Sequence, residues 1–208
     1  MKRFLDLLFP PRVDELAVRQ ATEDDVSSRV SPRLSPATRP GTVTLLSFSD
    51  PMVASLMHEA KYHGNRRAIT LLGGVLAEYL RDLDEDVRAG TLIPIPLGKL
   101  RRKTRGFNQT EEVARCALGV LGAEGMSRIV LHANILSRVR ETVSQVSLPR
   151  AEREANMRGA FGAAHVLYPE TTYIIIDDVL TTGATLQAGI DALTAAGAKH
   201  IIPIALSH

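Results

Sequence analysis

The sequence predicts an α/β fold in which an open, mainly parallel sheet is flanked by helices. Segments of strand character alternate along the chain with segments of helical spacing, which is the order of α/β proteins. The strand candidates, such as TLIPIPL and YIII, are continuous apolar runs, a pattern typical of strands that are covered on both faces. With 208 residues, the chain can bury one substantial core and carry a small appendage.

Each element of this fold has its own signal. Residues 19–41 are rich in Ser, Pro, Thr and charge, so they predict a linker or loosely held arm. The strand TVTLLSF follows, and Ser49-Asp50-Pro51 opens a helix because proline suits a first helical turn. The later elements are a helix from about Arg66 to Leu80, the strand TLIPIPL, the helix QTEEVARCALGVL, a strand from about Ile129 to Leu136, a strand from Tyr173 and the strand HIIPIAL. We therefore predict an N-terminal docking segment and linker at 1–41 and one α/β domain at 42–208.

Composition narrows the function classes. The formal net charge is +2 and only 4% of residues are aromatic, so we expect no general affinity for nucleic acid or membranes and few stacking platforms. The lone Cys116 can form neither an internal disulfide nor a thiolate zinc site, which predicts a reducing, cytoplasmic setting. No run reaches the length of a membrane span, and MKRFLDLLFPPR, broken by Asp6 and prolines, predicts a short docking helix rather than a signal peptide.

The stretch YIIIDDVLTTGATLQAG carries the strongest chemical signal. Asp177 and Asp178 come at the carboxyl end of a buried strand, the end at which open α/β sheets bind ligands. The turn formed by Thr181, Thr182, Gly183, Ala184 and Thr185 then leads into a helix. Backbone N–H groups at that helix N-terminus, its dipole and three hydroxyls predict a site for a phosphate monoester.

Three classes of protein end an apolar strand in two acids. A response-regulator receiver needs more of its domain after them, whereas only thirty residues follow Asp178. A Walker B strand needs a partner G-x-x-x-x-G-K-[ST], and the sequence contains none. The stretch resembles the phosphoribosyl diphosphate (PRPP) signature of type I phosphoribosyltransferases. A ribose 5-phosphate suits it, because carboxylates accept hydrogen bonds from vicinal hydroxyls and the turn accepts a phosphate. The alternative is that both acids only cap local structure.

A basic stretch follows the strand TLIPIPL. Five of the seven residues from Lys99 to Arg105 are basic, which is ordinarily a solvated charge run. Its position at the carboxyl end of a second strand favours another anion site, across the crevice from the phosphate turn. We therefore predict that a basic loop binds diphosphate, with the arginines as charge-assisted donors and a glycine that frees backbone N–H groups. The candidate residues are Lys99, Arg101, Arg105 and Gly106.

A closer resemblance covers most of the chain. The segments LIPIPLGKLRRKTRGFNQTEEVAR, LSRVRETVSQVSLPRAEREANMRGAF, FLDLLFPPR and MHEAKYHGN, with the acid pair, resemble the ComF family of competence proteins, a branch of the phosphoribosyltransferases. The resemblance implies a type I phosphoribosyltransferase domain at 42–208. It assigns Gly106, Phe107, Asn108 and Gln109 to the family's RGFNQ box, and Arg138, Thr142, Gln145, Arg150, Arg153 and Asn156 to its second basic segment. Many such proteins carry zinc knuckles after the opening segment, but no cysteine precedes Cys116 here, so that module is missing.

The second basic segment, from Arg138 to Arg158, has two interpretations. It is either a surface connector with weak ion pairs or a mobile lid that closes over the diphosphate and excludes water. The flexible-loop candidates are Arg138, Arg140, Gln145, Arg150 and Arg153. Lys61, near a helix C-terminus, is a further candidate for reaching a phosphate, and Phe161 is predicted to belong to the core.

Two functions from different classes follow. In the first, Asp177 and Asp178 hold the ribose of PRPP, directly or through Mg²⁺, while the phosphoribosyl group passes to an unknown acceptor and diphosphate leaves. Thr181 stands where 6-oxopurine salvage enzymes carry an acid, which disfavours 6-oxopurine acceptors. In the second, a non-catalytic PRPP-binding or competence-associated module assists uptake of single-stranded DNA. Either function is compatible with competence-protein partners and with a homodimer.

Overall fold

The computed structural model describes residues 12–83, 89–125, 128–140 and 155–208. The helices are α1 (Val13–Gln20), α2 (Glu23–Ser27), α3 (Pro51–His63), α4 (Arg66–Arg81), α5 (Lys99–Arg105), α6 (Gln109–Ala123) and α7 (Ala184–Ala195). The strands are β1 (Arg33–Ser35), β2 (Thr42–Leu46), β3 (Ala89–Pro94), β4 (Arg128–Leu131), β5 (Leu136–Arg138), β6 (Phe161–Ala163), β7 (Thr172–Val179) and β8 (His200–Ser207).

Six of the strands form one open sheet in the order β1-β2-β8-β7-β3-β4. The strand β1 runs antiparallel to β2, and every other neighbouring pair is parallel. In register, Ile176 of β7 lies opposite Pro94 of β3 and Ile204 of β8, so β7 is central and extends past the end of β3. The predicted α/β fold with an open, mainly parallel sheet is confirmed. A separate two-stranded sheet is formed by β5 and β6.

The core is divided between the two faces of the sheet. Because side chains alternate along a strand, Ile174 and Ile176 pack into one cluster while Tyr173 and Ile175 pack into the other. The first cluster is covered by α1 to α4 and α6, and the second by α7 and the small sheet of β5 and β6. All four side chains are at most 2% exposed, as expected for a strand that is buried on both faces.

Local sequence signals specify both the start and the end of α3. The carboxylate of Asp50 accepts hydrogen bonds from the backbone N–H groups of Met52 at 2.8 Å and Val53 at 3.3 Å, which satisfies the start of the helix. Pro51 occupies the first turn, as predicted. Gly64 then ends the helix with a φ of 57°, a conformation that glycine adopts without strain. Lys61 is thereby placed in the last turn of α3.

Part of the predicted linker is ordered structure. The range 19–41 contains α2 and β1, and β1 pairs with β2 at the edge of the sheet. Ala21 and Val26 are each 1% exposed and belong to the core, so the prediction of a loosely held arm is wrong for this part of the chain. Its few apolar side chains are enough because Ala21 and Val26 pack into the same core cluster as residues of α3 and α4. The domain boundary after residue 41 stays a prediction.

Two further elements differ from the sequence prediction. The basic stretch predicted as a loop is the helix α5, which ends at Gly106 with a φ of 81°. The strand predicted from Ile129 to Leu136 is interrupted by a turn, so that β4 joins the large sheet and β5 pairs with β6. Apolar periodicity does not reveal such a break, because residues on both sides of the turn are buried.

The predicted docking helix at the start of the chain lies outside the described residues, except for Arg12. The lid candidates Gln145, Arg150 and Arg153, together with Thr142, also lie outside them. Within the described ranges, no helix combines the length and apolar composition that crossing a bilayer requires.

Candidate functional site

The candidate site is a cavity of about 370 Å³ at the carboxyl ends of β3 and β7. Open parallel sheets bind ligands at this end, because the loops that follow neighbouring strands diverge there. The charged and polar residues that line it are Lys61, Arg101, Arg105, Gln109, Thr110, Arg138, Asp177, Asp178, Thr181 and Thr185. The fold thus gathers side chains from α3, α5, α6, β5, β7 and α7 around one space.

Asp178 is the more buried acid, with 7% of the residue exposed. Its Oδ2 atom lies 2.5 Å from Nζ of Lys61 and accepts a hydrogen bond from Nε2 of Gln109 at 2.7 Å. Its Oδ1 atom accepts the backbone N–H of Val179 at 2.8 Å. Asp178 therefore joins β7 to α3 and α6, and most of its acceptor capacity is used within the protein.

Asp177 has fewer partners. Within the described part of the chain, its carboxylate accepts one hydrogen bond, from the backbone N–H of Asp178 to Oδ1 at 2.8 Å. The residue is only partly buried, and it lines both the main cavity and a small recess of about 10 Å³ inside the turn at Thr181 to Thr185. Of the two acids, Asp177 has the greater capacity to accept hydrogen bonds from a ligand.

The two carboxyl groups differ in pKa because their surroundings differ. Burial and the negative charge of Asp178 raise the pKa of Asp177 to about 7. Burial alone would also raise the pKa of Asp178, but the charge of Lys61 and hydrogen bonds from Lys61, Val179 and Gln109 outweigh it and lower that pKa. An anionic Asp178 paired with Lys61 thus stands beside a carboxyl that titrates near neutral pH.

The turn from Thr181 to Thr185 is supported from behind by the connection between β1 and β2. Gly183 has a φ of 79°, and a Cβ atom there would lie 2.6 Å from the carbonyl oxygen of Ala37. The backbone N–H of Arg39 also donates to Oε1 of Gln187 at 2.8 Å. The glycine therefore permits a close backbone approach, and the segment it approaches belongs to the predicted linker.

Members of this turn line three neighbouring spaces. Thr181 and Thr185 line the main cavity. Thr182, Gly183 and Ala184 line a second cavity of about 250 Å³, which Arg158 also borders. All but Thr182 surround the small recess beside Asp177. The turn therefore lies directly against the acid pair and opens onto the N-terminus of α7.

The basic helix α5 presents only part of its charge to the cavity. Arg101 and Arg105 line it, whereas Lys99 and Gly106 are not among its lining residues. Nη1 of Arg105 donates to Oε1 of Gln109 at 2.7 Å, and its guanidinium carbon lies 5.5 Å from the centre of the Tyr62 ring. These two contacts hold the Arg105 side chain at the cavity wall.

Two residues of the RGFNQ box have roles that the sequence did not assign. Nδ2 of Asn108 donates to the carbonyl oxygen of Ile95 at 2.9 Å, while its Oδ1 atom accepts the backbone N–H of Thr110 at 3.2 Å. Asn108 thus caps α6 and ties it to the end of β3. Gln109 bridges Arg105 and Asp178. For the capping role of Asn108, the sequence offers one signal, which is the position of an asparagine directly before a helical pattern.

The described lid candidates differ in their contacts. Arg138 lines the cavity, and its guanidinium carbon lies 5.5 Å from the centre of the Phe161 ring. Arg140 instead donates to the carbonyl oxygens of Asn156 at 2.8 Å and Arg158 at 2.7 Å, outside the cavity lining. Phe161 is 6% exposed and belongs to the core, which confirms its prediction.

Of the two acids in the described site, Asp177 has the carboxylate oxygens with more capacity to bind a magnesium ion. Mg²⁺ prefers oxygen ligands and keeps part of its hydration shell. Asp177 is a carboxylate with spare acceptor capacity in a recess that Thr181 also lines, and it fits such an ion. Asp178 fits it less well, because the ammonium of Lys61 already occupies Oδ2.

No protein-family model matches the chain. The chain is 30% identical over 112 residues to Competence protein F of Haemophilus influenzae, a match that covers 53% of this chain and 46% of the relative. It is 31% identical over 131 residues to Competence protein ComFC of Streptococcus pneumoniae, which covers 63% and 54%, respectively. The chain spans about half the length of these curated relatives. The resemblance to the ComF family that the motifs indicate is confirmed by these two competence proteins.

Proposed function

We propose that the protein binds PRPP in the cavity at the ends of β3 and β7 and transfers its phosphoribosyl group to an acceptor. The observation that carries the proposal is the distribution of charge around one space. The acid pair and the turn at Thr181 to Thr185 stand on one side, and Arg101, Arg105 and Arg138 approach from other elements. PRPP has the matching order of groups, with a phosphate, two ribose hydroxyls and a diphosphate.

Each part of the substrate has a partner in this proposal. The N-terminus of α7 and the hydroxyls of Thr181 and Thr185 bind the 5-phosphate. Asp177 accepts hydrogen bonds from the ribose hydroxyls. Arg101 and Arg105 bind the diphosphate, because guanidinium groups form charge-assisted hydrogen bonds with phosphate oxygens.

Asp178 acts mainly through other residues in this arrangement. It holds the ammonium of Lys61 in the cavity wall and, through Gln109, orients Arg105. Asp178 is therefore a positioning residue as well as a source of negative charge beside the ribose. Lys61, predicted to reach a phosphate, adds a cation to the same wall.

The chemical step follows from where charge develops. As the bond between the anomeric carbon and the diphosphate oxygen breaks, positive charge grows on the ribose and negative charge on the leaving group. The carboxylates stabilise the positive charge on the ribose, and the arginines stabilise the negative charge on the diphosphate. The acceptor's lone pair forms the new bond to the anomeric carbon, and its proton passes to solvent or a base. Mg²⁺ bound by Asp177 would neutralise part of the diphosphate charge.

The acceptor is proposed by class only. Nucleobase nitrogens are the common acceptors of this reaction type, and Thr181 at the first position of the turn disfavours a 6-oxopurine, which the resemblance associates with an acid there. The single cysteine supports a reducing, cytoplasmic setting for such a reaction.

A competence-associated function is the second candidate, and the names of both relatives support it. The exposed side of α5, with Arg102 and Lys103, offers positive charge that does not line the cavity. Such a surface suits the backbone of single-stranded DNA, whose binding weakens steeply as salt rises. In this candidate, the PRPP-type cavity serves binding without catalysis.

Calorimetric titration of PRPP with magnesium into the wild-type protein and into Asp177→Asn tests the first candidate. We expect saturable binding to the wild type and at least a tenfold loss of affinity in the variant. Diphosphate release with a panel of nucleobases then identifies the acceptor. Absence of PRPP binding to the folded wild type, with salt-dependent binding of single-stranded DNA, would reject the first candidate in favour of the second.

A further inference from the structure

A second cluster of polar side chains lies on α3, outside the cavity. His58, Glu59 and His63 each offer one ligand atom, and these atoms all lie within 4.8 Å of one another. None of the three lines the main cavity. The cluster stands at the junction between α3 and the start of α1, because Arg12 and Asp14 contact it.

Glu59 is a fully buried carboxylate, with 0% of the residue exposed. Nε and Nη2 of Arg12 donate to Oε1 and Oε2 at 3.1 Å each, and Nδ2 of Asn65 donates to Oε2 at 3.0 Å. A carboxylate has about four acceptor positions, so these bonds leave Oε1 able to accept another. Nε2 of His63 lies 3.9 Å from that oxygen.

His58 is held in place by a second carboxylate. Its Nδ1 atom lies 3.0 Å from Oδ2 of Asp14, whose Oδ1 atom accepts a hydrogen bond from the Ser55 hydroxyl at 2.8 Å. The rings of His58 and His63 meet edge to face with their centres 5.5 Å apart. A carboxylate on one ring nitrogen fixes the tautomer and leaves the other nitrogen as a ligand, the arrangement common in zinc sites.

We propose that His58, Glu59 and His63 bind a divalent transition metal, and that zinc is the metal these ligands suit best. Two imidazoles and one carboxylate are ligands that zinc takes together, with a fourth position left to water. Ligand atoms of a tetrahedral site lie roughly 3.3 Å apart, given zinc–nitrogen distances of about 2.0–2.1 Å. The ligand atoms now lie within 4.8 Å of one another. The side chains of His58 and His63 are 45% and 33% exposed, so they can rotate to reach the shorter separation.

The local charge also favours a cation. Asp14 and Glu59 carry two negative charges, and Arg12, which pairs with Glu59, supplies one positive charge. The net charge of these three groups is therefore negative, which favours a divalent cation. Because Asp14 belongs to α1 and the histidines to α3, the ion would join the start of the described chain to the last turn of α3. The expected effect is stabilisation that depends on metal.

The test is a zinc titration of the full chain after chelation and dialysis, followed by thermal unfolding with and without zinc. We expect about one zinc ion per chain and a rise in the melting temperature. His58→Gln and His63→Gln should each lower the affinity at least tenfold. The matched control, His165→Gln, changes an exposed histidine away from the cluster and should leave the affinity unchanged.

Cobalt provides a second measurement on the unmutated protein. Cobalt bound by two imidazoles and a carboxylate in a four-coordinate site gives intense visible absorption, whereas hexaaqua cobalt absorbs only weakly. The proposal would be overturned if the protein gave neither the absorption of four-coordinate cobalt nor a zinc-dependent change in melting temperature. Equal loss of zinc affinity in His165→Gln, or full zinc affinity in a folded variant that carries both His58→Gln and His63→Gln, would overturn it too. The titration needs no PRPP, so its failure is separate from failure of the proposed function.

Discussion

Nζ of Lys61 lies 2.5 Å from Oδ2 of Asp178, so the more buried acid of the pair, on strand β7, is neutralised by a residue on helix α3. The contact joins the last turn of α3 to the end of the central strand, and the side chain of Asp178 is only 10% exposed. Removing one member of such a pair leaves an uncompensated charge that has lost most of its hydration.

Lys61→Met is therefore expected to destabilise the protein by about 2–4 kcal/mol at pH 7, because Asp178 stays buried without its cation. Asp178→Asn in the same protein should restore much of the loss. Urea unfolding of the wild type, both single variants and the double variant measures this coupling. A Lys61→Met protein as stable as the wild type would show that solvent screens the pair.

Asp177→Asn is expected to stabilise the protein at pH 8 by about 2 kcal/mol and to have little effect at pH 4. The pKa of this carboxyl rises from 3.8 to about 7 on folding, so the folded state binds the proton more tightly. The protonated carboxyl therefore stabilises the folded wild type, and this stabilisation is lost as the pH rises from about 4 to 7. Asparagine does not titrate, so the variant shows no such loss. Melting temperatures of both proteins across this range provide the test, and a constant difference between them would contradict it.

Gly183→Ala is expected to weaken PRPP binding at least tenfold and to destabilise the protein by about 1–3 kcal/mol. A methyl group there meets the Ala37 carbonyl oxygen, and the φ of 79° disfavours a side chain. Gly119→Ala is the matched control, since a Cβ atom at that position in α6 has no heavy atom within 4 Å. The control should be neutral or stabilising. Calorimetry and urea unfolding of both variants distinguish strain at the turn from a general effect of alanine.

Arg101→Gln and Arg105→Gln are each expected to reduce the affinity for inorganic diphosphate about 10- to 100-fold, the range for one charge-assisted hydrogen bond. Arg102→Gln removes the same charge from the same helix but does not alter the cavity lining. It should leave diphosphate affinity within about twofold. Titration of diphosphate into the three variants decides this, and an equal loss in all three would mean that net charge, rather than the cavity, governs binding.

The sequence predicts the candidate site best where one motif contains both a strand and the candidate binding groups that follow it. Asp177, Asp178 and the turn at Thr181 to Thr185 follow directly from a buried strand, and the sheet places them as local pattern and strand polarity require. The helix α3 was predictable for the same reason, since Asp50 and Pro51 specify its start. These are local signals, which a single sequence reveals.

Long-range contacts explain what the sequence did not reveal. Nothing near Lys61 indicates that its partner lies 117 positions later in the chain. The predicted linker contributes through its backbone, which pairs β1 with β2 and approaches Gly183 at Ala37. Hydrophobic periodicity reports neither of these contacts. The helix α5 was predicted as a loop because its charge pattern lacks an apolar face.

The approach of Ala37 to Gly183 has a practical consequence for the choice of expression boundaries. A shortened protein that starts at residue 42, where the predicted domain begins, would lose the antiparallel partner of β2 and expose its backbone as a new sheet edge, a surface prone to aggregation. It would also lose the hydrogen bond between the hydroxyls of Thr38 and Thr42 and the backing of the turn. Fragments intended for ligand binding should therefore retain β1 and the whole connection that follows it.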